Sequence, residues 1–230
     1  FPTRRSSDLN PLDAVRGRIA GVNIAPAING PAVLSSVRIR GTTSLTGGND
    51  PLIIIDGVFG SLNTLSSIYP ADIESFTVLK DASETAQYGS RGASGVIEIA
   101  TKRGSDKPFS VNYYGGLSVD MVARNLKMLS GNEFRQLAKD RNIEIRDLGN
   151  NTDFIKEMTN TALVHNHHLA ISSGTKTSNY RISVGFTDQE GVIKNNRSKN
   201  YTTKVDIRQS ALENKLNVDF GMFGSMLKKN

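Results

Sequence analysis

The sequence predicts an α+β domain, a mixed sheet with short helices over residues 10–104, followed by a run of amphipathic antiparallel strands over residues 105–230. Three observations carry this reading. Up to Gly104, short apolar runs are punctuated by Gly, Pro and Asp-Gly turns at changing periods. Beyond residue 110 the pattern switches to sustained two-residue alternation in five segments. The connections between those segments alternate long, short, long, short.

In the first unit, Asn10-Pro11 opens a helix, with Asn10 as cap and Pro11 at the first helical position. Leu12, Val15 and Ile19 form its apolar stripe and Gly21 ends it. Val37-Arg38-Ile39-Arg40 alternates and stops at Gly41, as a short half-buried strand does. The turn cluster at 46–51 leads into Leu52–Ile55, an all-aliphatic strand buried on both faces and closed by Asp56-Gly57. Ile73–Leu79 is a further strand, 82–88 a short helix closed by Gly89, and Val96–Thr101 a last strand. Gly89 and Gly92 sit in the turn between that helix and strand, where φ > 0 is expected.

In the second unit Val111, Tyr113, Leu117, Val119 and Met121 share one face; Asn112, Tyr114, Ser118 and Asp120 share the other. Tyr180, Ile182, Val184 and Phe186 oppose Arg181, Ser183, Gly185 and Thr187. Tyr201, Val205 and Ile207 oppose Thr202, Lys204, Asp206 and Arg208, and Leu216, Val218, Phe220 and Met222 oppose Asn217, Asp219 and Gly221. The segment around 165–173 is weaker, with Leu169 and Ile171 on its apolar side. Each runs about ten residues, the length a tilted strand needs to cross a bilayer. The connections are read as 122–163, 174–179, 188–200 and 212–215. Long loops at one end and short turns at the other fit an outer-membrane barrel; a soluble antiparallel sandwich alternates too and stays open as the alternative. Within the first long loop, Ser130-Gly131-Asn132-Glu133 is a capping box, with Phe134, Leu137 and Ala138 at helical spacing behind it.

Composition narrows the function. The 230 residues contain no cysteine, which removes disulfide frameworks, cysteine-ligated metals and thiol nucleophiles. The longest aliphatic run, Leu52–Ile55, is far too short for a transmembrane helix, and the first residues lack the apolar stretch of a signal peptide. The net charge of +6 is concentrated after Gly104, but its cations are scattered along alternating segments, so nucleic-acid binding is not expected. His165 and His167 share a strand face without a third ligand, and no metal or cofactor site is read. The run from Gly89 to Gly95 has glycines but follows a helix and leads into a strand, the reverse of a phosphate loop. Asp72 with Glu74, or Lys80 with Asp81, lack a nucleophile or oxyanion partner, and no catalytic motif occurs, so an enzyme is not expected.

Two blocks are more specific than any of these patterns. One runs from Asp50 to Val58 with the sequence DPLIIIDGV. The other runs from Tyr69 through Asp72, Lys80, Asp81, Tyr88, Gly89, Arg91, Gly92 and Gly95 to Gly104. Both resemble the plug domain of SusC/RagA-type TonB-linked outer-membrane transporters. The helix at 12–21 and the stretch at 37–41 are similar to the same domain upstream, and 151–154, 173–174, 180–183 and 188–191 are similar to the first wall hairpins. Tyr69, where the family usually has Asn, and Gln87 are departures. Residues 1–9 resemble nothing in the family and read as a non-native extension, translated sequencing-adapter sequence.

The resemblance implies a plug at 10–104, then the first strands of an incomplete barrel of about 22 strands at 105–230, with a long first extracellular loop. It makes Asp56, Gly57, Asp72, Lys80, Asp81, Tyr88, Gly89, Arg91, Gly92 and Gly95 a structural plug signature, with Asp56 and Arg91 candidates for polar contacts within the plug or to the wall. It implies a cell outer membrane location and import of a glycan or peptide. The partners would be the TonB complex, acting through a segment missing here, a SusD-like lipoprotein and outer-membrane lipid. No cofactor is implied, and substrate-binding residues are not legible.

Overall fold

The computed structural model describes residues 11–12, 16–17, 21–25, 36–39, 49–122, 128–213 and 215–229. The N-terminal unit is built on four strands, β3 (Leu52–Ile55), β4 (Val58–Gly60), β5 (Ile73–Leu79) and β6 (Val96–Thr101), in the order β4-β3-β6-β5. β3 and β6 are parallel; the other neighbours are antiparallel. The central strands carry the aliphatic runs because they are covered on both faces: Ile53, Ile54, Val96, Ile97 and Ile99 are all buried. Asp56 and Gly57 have φ of 50° and 85°, the left-handed pair of a two-residue hairpin. That turn folds the chain straight back into β4, a strand too short to announce itself by periodicity.

A separate antiparallel pair, β1 (Asn23–Ala25) and β2 (Ser36–Arg38), adds Ile24 and Val37 to the core, where they meet Leu12, Ile39, Ile53, Leu65, Ile97 and Ile99. The strand expected at 37–40 thus begins one residue earlier, and Arg40 and most of the helix expected at 10–21 lie outside the described residues. Helix α1 (Leu62–Ser67) has no amphipathic repeat to reveal it; Ser61 caps it, its Oγ accepting from the Thr64 N–H at 3.2 Å.

The helix expected at 82–88 is shorter: α2 (Ala82–Thr85) passes into a 3-10 segment, Ala86–Gly92, kinked at Gly89. Gly89 has the expected positive φ, 57°. Gly92 does not belong among the positive-φ residues; a Cβ there would stand 2.8 Å from the Thr85 carbonyl oxygen, so close backbone approach is what demands glycine. Substituting Val at either position is expected to destabilise the N-terminal unit by about 1–3 kcal/mol. Earlier loss of protease resistance in residues 49–104 on heating the full-length protein would show it.

The second unit is one five-stranded antiparallel sheet in sequential order: β7 (Ser110–Asp120), β8 (Ala162–Gly174), β9 (Ser178–Glu190), β10 (Arg197–Ala211) and β11 (Leu216–Lys229). The connections are 121–161, 175–177, 191–196 and 212–215. The third is therefore shorter than the 188–200 read from the pattern. Polar residues continue the strands there: Arg197 pairs with Glu190 in register and donates to Asp188 through Nε and an NH group at 2.7 Å each. The first loop holds α3 (Gly131–Asp140), capped by Ser130 as expected, and α4 (Phe154–Met158), capped by Asp153. Arg135 ties that loop together, donating to Asn132, Asp147 and the Asn150 carbonyl.

Burial in this sheet is inverted relative to a water-soluble protein. On β9, Arg181 and Ser183 are 7% and 2% exposed, whereas Ile182 and Val184 are 41% and 46% exposed. On β10, Thr202 and Lys204 are buried while Tyr201 and Ile207 are exposed. A soluble sandwich buries the apolar face, so this arrangement rejects the sandwich; it is what a lipid-facing wall with a polar inner surface requires. The N-terminal unit sits against that polar surface.

Candidate functional site

The two units meet around one carboxylate. Pro70–Asp72 form a 3-10 turn that launches β5, with Pro70 at its first position, and the turn presents the Asp72 side chain to the inner face of the wall. Its Oδ1 accepts from an Arg181 NH group at 2.8 Å; its Oδ2 accepts from Ser183 Oγ at 2.8 Å and contacts His168 Nε2 at 2.9 Å. Arg181 and Ser183 come from β9 and His168 from β8, all at inward positions of the two-residue repeat. The Asp72 carbonyl accepts from the Lys102 N–H at 2.7 Å, which fixes the turn to the end of β6. Tyr69, one residue before the turn, stacks on the His168 ring with centroids 4.3 Å apart and planes 15° apart. Burial alone would push the Asp72 carboxyl up; the hydrogen bonds from His168, Arg181 and Ser183, with the His168 charge, outweigh it and hold the group at about 2.

A second contact lies one strand over. Lys204 of β10 donates from Nζ to Thr101 Oγ1 and to the Lys102 carbonyl. Thr101 in turn donates its N–H to Asp56 Oδ1 at 2.8 Å and its hydroxyl to Oδ2. Lys204 Nζ itself stands 3.9 Å from Asp56 Oδ2, and Arg103 stands 3.9 Å from Oδ1. The left-handed backbone at Asp56 turns its carboxylate back onto β6, so the hairpin turn and the wall contact share one residue. A cleft of about 430 Å³ lies between the β3–β4 hairpin and β10–β11, with Phe59, Asp72, Lys204, Asp206, Asp219 and Phe223 in its lining.

Of the ten signature residues, the structure brings two, Asp56 and Asp72, to the wall. Gly57 completes the hairpin turn. Asp81 precedes α2, and its N–H is capped by Glu84 at 3.4 Å. Lys80 is exposed beside it. Tyr88 donates its hydroxyl to Glu98 at 2.7 Å, which pushes the phenol pKa up. Arg91 is exposed, its guanidinium 5.6 Å from the Phe59 ring centroid, a contact inside the N-terminal unit. Gly89 and Gly92 shape the 3-10 segment, and Gly95 has φ of 93° with Ile39 packed over it.

Sequence reasoning gave no site role to His168, Ser183, Thr101 or Tyr69. The signal was parity: His168 falls one position off the His165/His167 pair and so points inward. His165 and His167 share the outward face, where His167 Nδ1 meets Tyr113 Oη at 2.6 Å and His165 lies 3.7 Å from Asp188. Among the described residues no group of three or more His, Asp or Glu forms a metal site. The contacts across the seam join the plug carboxylates Asp72 and Asp56, the latter through Thr101, to the wall groups Arg181, His168, Ser183 and Lys204. Such contacts hold two bodies in register and can separate without breaking a covalent bond.

Comparison with known proteins agrees with this architecture. Residues 3–96 match the TonB-dependent Receptor Plug Domain family. The TonB-dependent receptor SusC of Bacteroides thetaiotaomicron is 41% identical over 220 residues, 90% of this chain and 22% of that receptor. The TonB-dependent receptor P3 of Formosa agariphila is 34% identical over 220 residues, 94% of this chain and 21% of that receptor. The chain thus spans about a fifth of the length of these relatives. Among solved structures, one of the RagAB peptide transporter superposes with a TM-score of 0.82 at 26% identity, covering 98% of this chain and 30% of that one. The RagAB peptide importer in its closed-closed state reaches 0.88 at 24% identity, covering 99% of this chain and 30% of that one, a match of fold. With a plug sheet seated on the polar face of an outward-apolar strand wall, this chain belongs to the SusC/RagA type of TonB-dependent receptor, proteins of the Bacteroidota outer membrane.

Proposed function

We propose that this chain contributes the gate of an energised importer: a plug, residues 10–104, held against the first wall strands, residues 105–230, until a pull from the periplasm frees it. The observation that carries the reading is the Asp72 cluster, in which a buried plug carboxylate is engaged by three wall side chains from two strands. The contacts are polar, so water can replace them once the plug is displaced; an apolar seal of the same area would resist displacement by water. The pull would come from the TonB complex acting on a segment N-terminal to the plug. The longer connections, 121–161 and 191–196, would then face outward, where a SusD-like lipoprotein would dock, and the cargo would be a glycan or a peptide. The family is one of transporters rather than an enzyme class.

The test is uptake. The full-length gene is returned to a strain deleted for it, and cells are offered labelled oligosaccharides and peptides in parallel. One cargo class is expected to accumulate, only with TonB present, and a lipoprotein is expected to co-purify with the receptor. Accumulation that persists without TonB would reject the energised gate.

A further inference from the structure

We propose that Asp206 is an exchange partner for the wall cations, taking over Arg181 and Lys204 as Asp72 and Asp56 leave with the plug; this rests on reading the plug as a movable gate. Arg181 and Lys204 are 7% and 8% exposed, and the carboxylates nearest them, Asp72 at 2.8 Å and Asp56 at 3.9 Å, both belong to the plug. Removing one partner of a buried charge pair is costly, because the remaining charge stays buried and unpaired. A plug anchored in this way would therefore meet its steepest resistance at the first movement, before water reaches the cations.

The wall carries its own remedy in the register. Asp206 on β10 lies directly opposite Arg181 on β9, which sets their Cβ atoms about 5 Å apart on the same inner face. It is also two residues from Lys204, its neighbour on that face, about 7 Å along the strand. Among the described residues the Asp206 carboxylate accepts no hydrogen bond and has no cation within 4 Å; while the plug is seated it acts on Lys204 only at longer range, through its charge. Arg181 Nε is buried without a hydrogen-bond partner, leaving a donor available to a second acceptor. Asp206 lines the same cleft as Asp56, Asp72 and Lys204. A partner that engages only as the plug departs lowers the barrier to departure without tightening the seated state. Asp206 is thus a positioning residue for opening.

Full-length receptor in proteoliposomes, pulled at constant force from the N-terminal end of the plug, gives the lifetime of the seated plug. Asp206→Asn is expected to lengthen it about tenfold. Relief of like-charge repulsion between Asp206 and the plug carboxylates Asp56 and Asp72 would also lengthen it, but that relief persists when the two cations are gone, so the background lacking them separates the two roles. Asp206→Glu is expected to restore the lifetime, and in an Arg181→Gln, Lys204→Gln background Asp206→Asn is expected to change nothing. Asp206→Gln replaces the Asn variant should that one fail to assemble as a heat-modifiable barrel. Unchanged or shortened lifetimes in Asp206→Asn, or equal lengthening in the Gln background, overturn the exchange alone. A wild-type plug that never leaves the wall under load overturns the gate and the exchange with it.

Discussion

Replacing Asp72 by Ala is expected to weaken the hold of the plug on the wall by about 3–5 kcal/mol, the effect of stripping a buried cation of its partner. Three donors lose their acceptor at once: the Arg181 guanidinium, the Ser183 hydroxyl and the His168 ring. Among the described residues none of the three has a second acceptor while the plug is seated, and the Arg181 Nε and His168 Nδ1 atoms are buried without a partner. Asp72→Asn keeps an acceptor but removes the charge, and is expected to lose roughly half as much. Glu74→Ala, two residues on and exposed, is the control and is expected to stay within about 0.5 kcal/mol. The readout is the urea concentration at which the plug of the full-length, membrane-embedded protein becomes protease-sensitive while the wall stays folded. Equal midpoints for Asp72→Ala and Glu74→Ala would show that the cluster does not hold the plug.

The same residue sets the acid limit of the seated plug. The Asp72 carboxyl is lowered from 3.8 to about 2, so its contribution is fully present above pH 3.8 and is lost as pH falls through 2. The shift corresponds to about 2 kcal/mol. Plug protection is therefore expected to fall as pH drops below about 4, and the fall should vanish in Asp72→Asn.

The elements legible in the sequence were those whose stability is local or whose pattern is regular. The strands Ile73–Leu79 and Val96–Thr101 and the Ser130 cap stand where the pattern puts them, because alternation and a capping box are fixed within a few residues. The helix at 82–88 came out short because Gly89 and Gly92 impose a kink and a close approach that no apolar period encodes. The wall strands outran their apolar pattern because Asp188 on β9 pairs with both Arg197 and Lys199 on β10. The site was half visible. Arg181, Lys204 and Asp206 could be assigned to the inner face by parity, but the contacts of Arg181 with Asp72 and of Lys204 with Asp56 join residues more than a hundred positions apart. That distance is bridged by docking of the plug sheet, which leaves no local trace. Tyr69 illustrates the point: as a departure from the family's Asn it carried no message until His168 was found stacked upon it.

Arginine in place of Val184 is expected to abolish or strongly reduce barrel assembly, whereas arginine in place of Asn112 is expected to be tolerated. Val184 lies at the middle of β9, points outward and is 46% exposed, with Leu169 opposite it on β8 in the same apolar band. In the membrane that exposure is contact with lipid, and a cation at the bilayer midplane costs about 2–4 kcal/mol. Asn112 is exposed on β7 at an inward position of the repeat, where a cation meets water and polar side chains. The two variants add the same side chain to the same sheet and differ in which face carries it. Depth supplies an internal scale: Tyr180→Arg, outward but near the end of β9, is expected to cost only about 0–1 kcal/mol, since the long side chain can reach the interface. Heat-modifiable migration of the full-length protein from outer-membrane fractions measures all three. Assembly falling in the order Asn112→Arg, Tyr180→Arg, Val184→Arg would fix both the lipid face and the strand depth. Equal assembly of Val184→Arg and Asn112→Arg would mean that the exposed apolar face does not meet lipid.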